Sequence, residues 1–137
     1  MSRPIKAVIH QAALGNNLAV ARGMMPDSQV FAVVKANAYG HGIERVYEAL
    51  QQADGFALLD IAEAKLVRAL GWPGQILLLE GLFEVHDLQD CVELDLSFTV
   101  HSQYQLEWLQ QFEGSAQFDV FLKMNSGMNR LGFSPDA

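Results

Sequence analysis

Two lysines in this sequence come directly after runs of apolar, β-forming residues. Lys35 follows the run at 29–34, and Lys123 follows the run at 118–122. An ammonium group so close to a core is partly desolvated, which favours the neutral amine, a nucleophile or base. At Lys35 such an amine suits Schiff-base chemistry with an aldehyde cofactor. The alternative is a solvated surface lysine at the end of a strand, which is the more frequent case.

The residues just after Lys35 suggest an anion site. Tyr39 has a hydroxyl that can donate to an anion, although its ring can equally serve for packing. Gly40 and Gly42 permit a tight turn into a helix whose free N–H groups face a ligand, but any short βα loop uses such glycines. His41, between them, is more often a structural hydrogen-bonding residue than a base.

A second unusual loop begins at Lys123 and contains Arg130, on either side of a glycine turn. The arginine fork suits a carboxylate, phosphate or phenolate. Two cations converging on one site repel each other, so we expect an anion between them. The alternative is that both side chains point to solvent.

Five short apolar runs recur at intervals that fit βα units, and each is typical of a strand buried on both faces of a parallel sheet. The runs are residues 29–34, 55–59, 75–79, 96–100 and 118–122. Helix signals lie between them. Asp60, with Glu63 three residues later, predicts a capped helix to Leu70, and Ser102 with Gln105 has the form of a capping box. Further helices are predicted at 12–24, 42–50 and, more briefly, 87–91.

The alternation predicts an α/β fold, either a doubly wound sheet or part of a (β/α)₈ barrel. The 137 residues fall well short of the roughly 250 that a complete barrel needs, and we favour about five βα units of a barrel. No linker suggests a second domain.

Composition excludes several classes of protein. A net charge of −7 argues against a nucleic-acid partner, and no apolar run is long enough to cross a bilayer. The single cysteine, Cys91, and four scattered histidines suggest neither a disulfide nor a metal site. Without a signal peptide at the N-terminus, a cytoplasmic location is expected.

The two loops together resemble a known family. Residues 33–42 (VVKANAYGHG) are similar to the pyridoxal-phosphate attachment motif of alanine racemases, and residues 123–133 (KMNSGMNRLGF) to their second characteristic loop. The resemblance extends over the whole chain, including residues 53–64 (ADGFALLDIAEA) and 74–81 (GQILLLEG).

The resemblance implies a homodimeric enzyme that uses pyridoxal 5'-phosphate to interconvert L- and D-alanine. Lys35 would bind the cofactor and act as the base on the D-alanine side. Tyr39 would contact the cofactor phosphate, and Arg130 the phenolic oxygen and the substrate. Lys123 matches a lysine that is carbamylated in many members, which would answer the repulsion from Arg130. Two positions depart from the family, which often has Asp in place of Asn125 and of His10.

By the same resemblance, residues 1–137 form the N-terminal part of the cofactor-binding barrel domain, without the family's C-terminal β-domain. The second base, a tyrosine of that domain supplied by the partner subunit, lies outside these residues. We therefore expect little activity from this chain alone. The alternative is a non-catalytic half-barrel, a folding module or cofactor-binding protein that associates through exposed strand edges.

Overall fold

The computed structural model describes residues 4–135, in which helices and strands alternate along the chain. The helical elements are α1 (Gln11–Met24), α2 (Lys35–Tyr39), α3 (Ile43–Leu50), α4 (Ile61–Ala69), α5 (Asp87–Leu94) and α6 (Gln103–Gln111). The strands are β1 (Phe31–Val33), β2 (Gly55–Leu58), β3 (Gln75–Leu78), β4 (Ser97–Val100) and β5 (Val120–Leu122). Every apolar run contains a strand, so the predicted alternation is confirmed. No helix in this part of the chain is long and apolar enough to span a membrane.

The strands form one five-stranded parallel sheet in the order β1-β2-β3-β4-β5. In the pairing of β2 with β3, for example, Gly55 lies opposite Gln75 and Leu58 opposite Leu78. A doubly wound sheet reverses its strand order at a switch point, whereas in a barrel each strand lies beside the next one in sequence. The strictly sequential order therefore identifies the N-terminal part of a (β/α)₈-type barrel.

Four of the helices pack one against the next along the chain. Helix α1 packs on α3, α3 on α4, and α4 on α5, which is the arrangement expected when every crossover has the same right hand. Between the helices and the sheet lies the core, in which Phe56 of β2 and Phe98 of β4 are fully buried. The ring of Phe56 meets that of Trp72 edge-on, with 4.8 Å between centroids, a favourable aromatic geometry.

Burial differs between the middle and the edge of the sheet. Strands β2 and β4 are buried at every position, as predicted for strands covered on both faces. The same prediction is wrong for the two edge strands. The three residues of β5 are all exposed, Leu122 to 64%, and β1 is exposed at Val33, to 42%. Among the described residues β5 pairs with β4 alone, and an apolar run does not reveal what covers an edge strand.

Helix capping follows the sequence only in part. Asp60 caps α4, since its carboxylate accepts the Ala62 N–H at 2.6 Å. The capping box at Ser102 is wrong, because the Ser102 side chain makes no capping hydrogen bond and Gln105 instead accepts the N–H of His101. His10 occupies the N-cap of α1 without capping it. An aspartate at this position could accept a helix N–H, which the His10 side chain does not do.

Candidate active site

Both candidate lysines lie at the carboxyl end of the parallel sheet. Lys35 follows β1 after one residue, and Lys123 follows β5 directly. The two strands form opposite edges of the sheet, with three strands between them. The structure therefore brings Lys35 and Tyr39 together in one loop, and Lys123 and Arg130 in another. The carboxyl end is where barrels carry their functional groups.

Strand pairing fixes the chain immediately before Lys35. Val34 is 1% exposed, and its N–H donates to the carbonyl of Ala57 at 2.8 Å. Lys35 itself is half-buried. Its backbone thus continues directly from a residue that is buried and hydrogen-bonded to β2, which fixes where the lysine leaves the sheet.

The chain after Lys35 forms a left-handed helical turn that the sequence did not predict. Ala36, Asn37, Ala38 and Tyr39 have φ values of 51°, 52°, 53° and 54°. For L-residues this conformation costs roughly 1–2 kcal/mol per residue, and it is occupied mostly by single glycines or asparagines. Gly40, with φ 82°, ends the turn. A run of such residues beside a candidate catalytic lysine is a concentration of backbone strain of the kind found at functional sites.

Asn37 organises the turn. Its carbonyl oxygen accepts the N–H of Gly42 at 2.9 Å, and its side-chain oxygen accepts the N–H of Ile43 at 3.0 Å, at the start of α3. Its own N–H donates to Oε1 of Glu63 in α4 at 2.6 Å. Glu63 is a residue of the site that sequence reasoning missed, because its spacing from Asp60 was interpreted as helix capping.

Tyr39 and His41 differ in how far they are available to a ligand. Tyr39 is 61% exposed at the end of the turn, so its ring is not packed in the core and its hydroxyl is accessible. A ring nitrogen of His41, Nδ1, lies 2.8 Å from the carbonyl oxygen of Ala38. This contact agrees with the structural hydrogen-bonding role expected for His41.

The second loop is closed at its base. The N–H of Phe133 donates to the carbonyl of Lys123 at 2.9 Å, and the N–H of Asn125 donates to the carbonyl of Phe133 at 2.8 Å. At Gly132, with φ 115°, a Cβ atom would stand 2.6 Å from the Asn125 nitrogen. The close approach requires glycine, and it makes the segment between Lys123 and Phe133 a defined loop.

Within this loop Asn125 is engaged with Asn129. Its Nδ2 donates to Oδ1 of Asn129 at 3.0 Å, and its Oδ1 accepts the N–H of Asn129 at 3.1 Å. Asn125 therefore stabilises the loop itself. Lys123 is half-buried and Arg130 is exposed. Among residues 4–135 the structure describes no hydrogen bond or ion pair that joins these two cations.

A buried polar network supports the middle of the same sheet end. The loops after β3 and β4 meet through Gln105, which is fully buried. Its Nε2 donates to the carbonyls of Glu80 and Leu82 at 3.3 and 3.2 Å, and its Oε1 accepts the His101 N–H at 2.9 Å. The sequence offered no signal for this network, since glutamine was interpreted as part of a cap.

Comparison with known proteins places this geometry in a family. The family model described as "Alanine racemase, N-terminal domain" matches residues 9–137. The chain belongs to the alanine racemase family. It is 71% identical over 135 residues to an alanine racemase of Acinetobacter baumannii (strain SDF), covering 98% of this chain and 37% of that protein. To an alanine racemase of Albidiferax ferrireducens it is 63% identical, covering 98% of this chain and 36% of that protein.

Solved alanine racemases share the fold. The biosynthetic alanine racemase from Pseudomonas aeruginosa superposes with a TM-score of 0.87 at 43% identity, over 92% of this chain and 36% of that one. Alanine racemase from Bartonella henselae, whose structure has covalently bound pyridoxal phosphate, gives 0.85 at 25% identity, over 93% of this chain and 37% of that one. The chain therefore spans little more than a third of the length of the alanine racemases it matches.

Proposed function

We propose that this chain is the N-terminal part of an alanine racemase that uses pyridoxal 5'-phosphate to interconvert L- and D-alanine. The observation that carries the proposal is the setting of Lys35. It is a half-buried amine at the carboxyl end of a barrel strand, held on a strained left-handed turn. The family membership and the cofactor bound covalently to the Bartonella henselae enzyme support the same assignment.

The donor set in the two loops fits this cofactor, which carries an aldehyde, a phosphate and a phenolic oxygen. The amine of Lys35 suits the aldehyde, and the accessible hydroxyl of Tyr39 suits the phosphate. Arg130 offers a guanidinium for the phenolic oxygen and for the substrate. A bound pyridoxal ring withdraws the electrons that remain when an amino acid loses its α-proton.

Each residue then has a defined task. Lys35 would hold the cofactor through Nζ and would move the α-proton on the D-alanine side. Tyr39 would contact the phosphate. Arg130 would contact the phenolic oxygen and the substrate. A racemase needs one base on each face of the substrate, and we assign the second to a tyrosine outside residues 1–137, in the C-terminal β-domain of the partner subunit of a cytoplasmic homodimer. This chain alone should therefore have little activity.

Lys123 has a separate role in this proposal. It shares a closed loop with Arg130, and carbamylation would turn one of two neighbouring cations into an anion. The resulting carbamate could pair with the guanidinium and hold Arg130 towards the cofactor. Carbon-13 NMR of the full-length protein in ¹³C-labelled bicarbonate would detect the carbamate at neutral pH, and Lys123→Ala should remove that signal.

A non-catalytic half-barrel is the second candidate, and the exposed edge strand β5 is the observation that favours it. Such a module would bind the cofactor weakly or not at all and would self-associate through that edge. Two measurements separate the two functions. Titration with pyridoxal phosphate, monitored by absorption, measures cofactor binding, and sizing in solution measures self-association.

The test of the main proposal is a racemisation assay on the full-length protein. Lys35→Ala should lower kcat by about 10²–10⁴-fold, the usual contribution of a positioned acid or base. Lys65→Ala is the matched control. Lys65 is an exposed lysine that pairs with Asp90 at 2.6 Å on the helical layer, and its removal should leave kcat unchanged. A full-length protein that fails to form D-alanine from L-alanine would overturn the proposal, as would an unchanged rate in Lys35→Ala.

A further inference from the structure

The turn that carries Lys35 is held from outside by one carboxylate. Ala36 to Tyr39 all lie in the left-handed region, which L-residues keep only when their surroundings impose it. Most hydrogen bonds of the turn are local, such as the Ala38 N–H to the carbonyl of Val34 at 2.7 Å. Within residues 4–135, the bond from the Asn37 N–H to Glu63 is the only described hydrogen bond that reaches the turn from another βα unit.

Glu63 is committed to this contact. It lies in the first turn of α4, three residues after the cap Asp60, where a glutamate can reach back to its own N-cap. Instead, Oε1 crosses to the neighbouring unit and accepts the Asn37 N–H at 2.6 Å. Its other oxygen, Oε2, is buried without a hydrogen-bond partner among the described residues. Burying a carboxylate oxygen without a partner costs free energy. The hydrogen bond from the Asn37 N–H to Oε1 offsets part of that cost.

The contact between Asn37 and Glu63 lies close enough to Lys35 to affect the position of the lysine. Asn37 lies two residues beyond the lysine, and its carbonyl and side chain also fix Gly42 and Ile43 at the start of α3. If the Asn37 N–H lost its acceptor, the backbone could relax from the left-handed region into the more stable right-handed or extended regions. The amine of Lys35 would then spend less time in the place where it meets its ligand.

We propose that Glu63 is a positioning residue for Lys35, which keeps the amine in its reactive position through the turn and without touching the cofactor. This inference rests on the proposed function, because it concerns the same lysine. The affinity of a ligand falls in proportion to the fraction of protein in the competent conformation. A hydrogen bond with a charged acceptor is strong, but this one is partly open to solvent, so its loss should lower that fraction about tenfold.

Two substitutions in the full-length protein test the proposal. Glu63→Ala removes the acceptor, and Glu63→Gln retains a side-chain oxygen that can accept the same N–H. The control is Glu44→Ala, which removes an exposed acidic residue from the first turn of the neighbouring helix α3. It reproduces the loss of a negative charge at a helix N-terminus and leaves the turn untouched.

Two measurements are needed, and one of them does not depend on activity. Amide hydrogen exchange of Asn37, without cofactor, should become about tenfold faster in Glu63→Ala. The apparent Kd for pyridoxal phosphate, measured from the absorption of the lysine-bound cofactor, should rise about tenfold in the same variant. Glu63→Gln should restore most of both effects, and Glu44→Ala should change neither.

The outcomes separate this inference from the proposed function. If the wild-type protein binds the cofactor at Lys35 but Glu63→Ala retains its affinity, the positioning role is refuted and the function stands. Unchanged exchange at Asn37 refutes the role in the same way. A failure of Glu63→Gln to restore either property would also contradict it, because the acceptor would not be the cause. If the wild-type protein does not bind the cofactor at Lys35, both proposals fall.

Discussion

Replacing Gln105 with alanine should cost the protein a large part of its stability. The Gln105 side chain is 0% exposed, although glutamine is usually a surface residue. It accepts the N–H of His101 at 2.9 Å and donates to the carbonyl of Leu82 at 3.2 Å. It thereby joins the loops after β3 and β4 at the sheet end that carries the candidate site.

The magnitude follows from what each partner loses. The buried N–H of His101 would lose its acceptor, which costs about 2 kcal/mol, and loss of the donor to the Leu82 carbonyl costs about 1 kcal/mol. The Glu80 carbonyl remains 2.9 Å from Nε2 of His101, so losing its hydrogen bond from Gln105 should cost little free energy. Lost packing adds about 1 kcal/mol after partial collapse of the cavity. The free energy of unfolding should therefore fall by about 4 kcal/mol.

Urea unfolding followed by far-UV circular dichroism measures this effect. With a slope of about 2 kcal/mol per M, the midpoint should fall by about 2 M. Gln105→Met keeps most of the packing and loses the hydrogen bonds, so it should lower the free energy of unfolding by about 3 kcal/mol. The control is Gln110→Ala, at an exposed position of the same helix. It should change the free energy of unfolding by no more than about 0.5 kcal/mol. If Gln105→Ala and Gln110→Ala unfold at the same midpoint, the reasoning is refuted.

Two further predictions concern pH. Burial raises the pKa of the Cys91 thiol from 9.0 to about 12. The thiol should therefore resist alkylation at neutral pH unless the protein unfolds. The free energy of unfolding should fall as the pH rises from about 9 towards 12, because only the unfolded chain loses the thiol proton in that range. The N–H of Val30, and then Arg22, lower the pKa of the Asp54 carboxyl from 3.8. The stabilisation from Asp54 is thus present above about pH 4 and lost as the pH falls through the folded-state pKa, so Asp54→Asn should flatten part of the acid-side decrease in the urea midpoint. Ready alkylation of native Cys91, or an unchanged acid profile in Asp54→Asn, would contradict these two assignments.

The sequence predicted the parts of the fold that depend on local pattern. The runs that became β2, β3 and β4 are mostly apolar because helices and neighbouring strands cover them, and this pattern indicates a parallel sheet. The choice between a barrel and a doubly wound sheet needed the strand order, which no single run contains. The exposure of β5 was missed for a related reason, because an apolar run does not state what lies beside it.

The candidate site shows the same division. Lys35 and Lys123 were located correctly at strand ends, since position after an apolar run is a local property. The left-handed turn was missed because a sequence such as Lys-Ala-Asn-Ala-Tyr has no local preference for positive φ apart from its asparagine. Glu63 and Gln105 were both interpreted as capping residues. Each instead reaches a backbone group that no capping rule anticipates, because tertiary packing places that group within its reach.

The central claim is that Lys35 is the residue that binds the cofactor. Borohydride reduction of the full-length protein with pyridoxal phosphate bound, followed by proteolysis and mass spectrometry, tests it most directly. If Lys35 binds the cofactor, one modified peptide should appear, with the pyridoxyl group on Lys35 and none on Lys123, Lys65 or Lys6. A label on another lysine, or an unlabelled protein under conditions in which it racemises alanine, would contradict it.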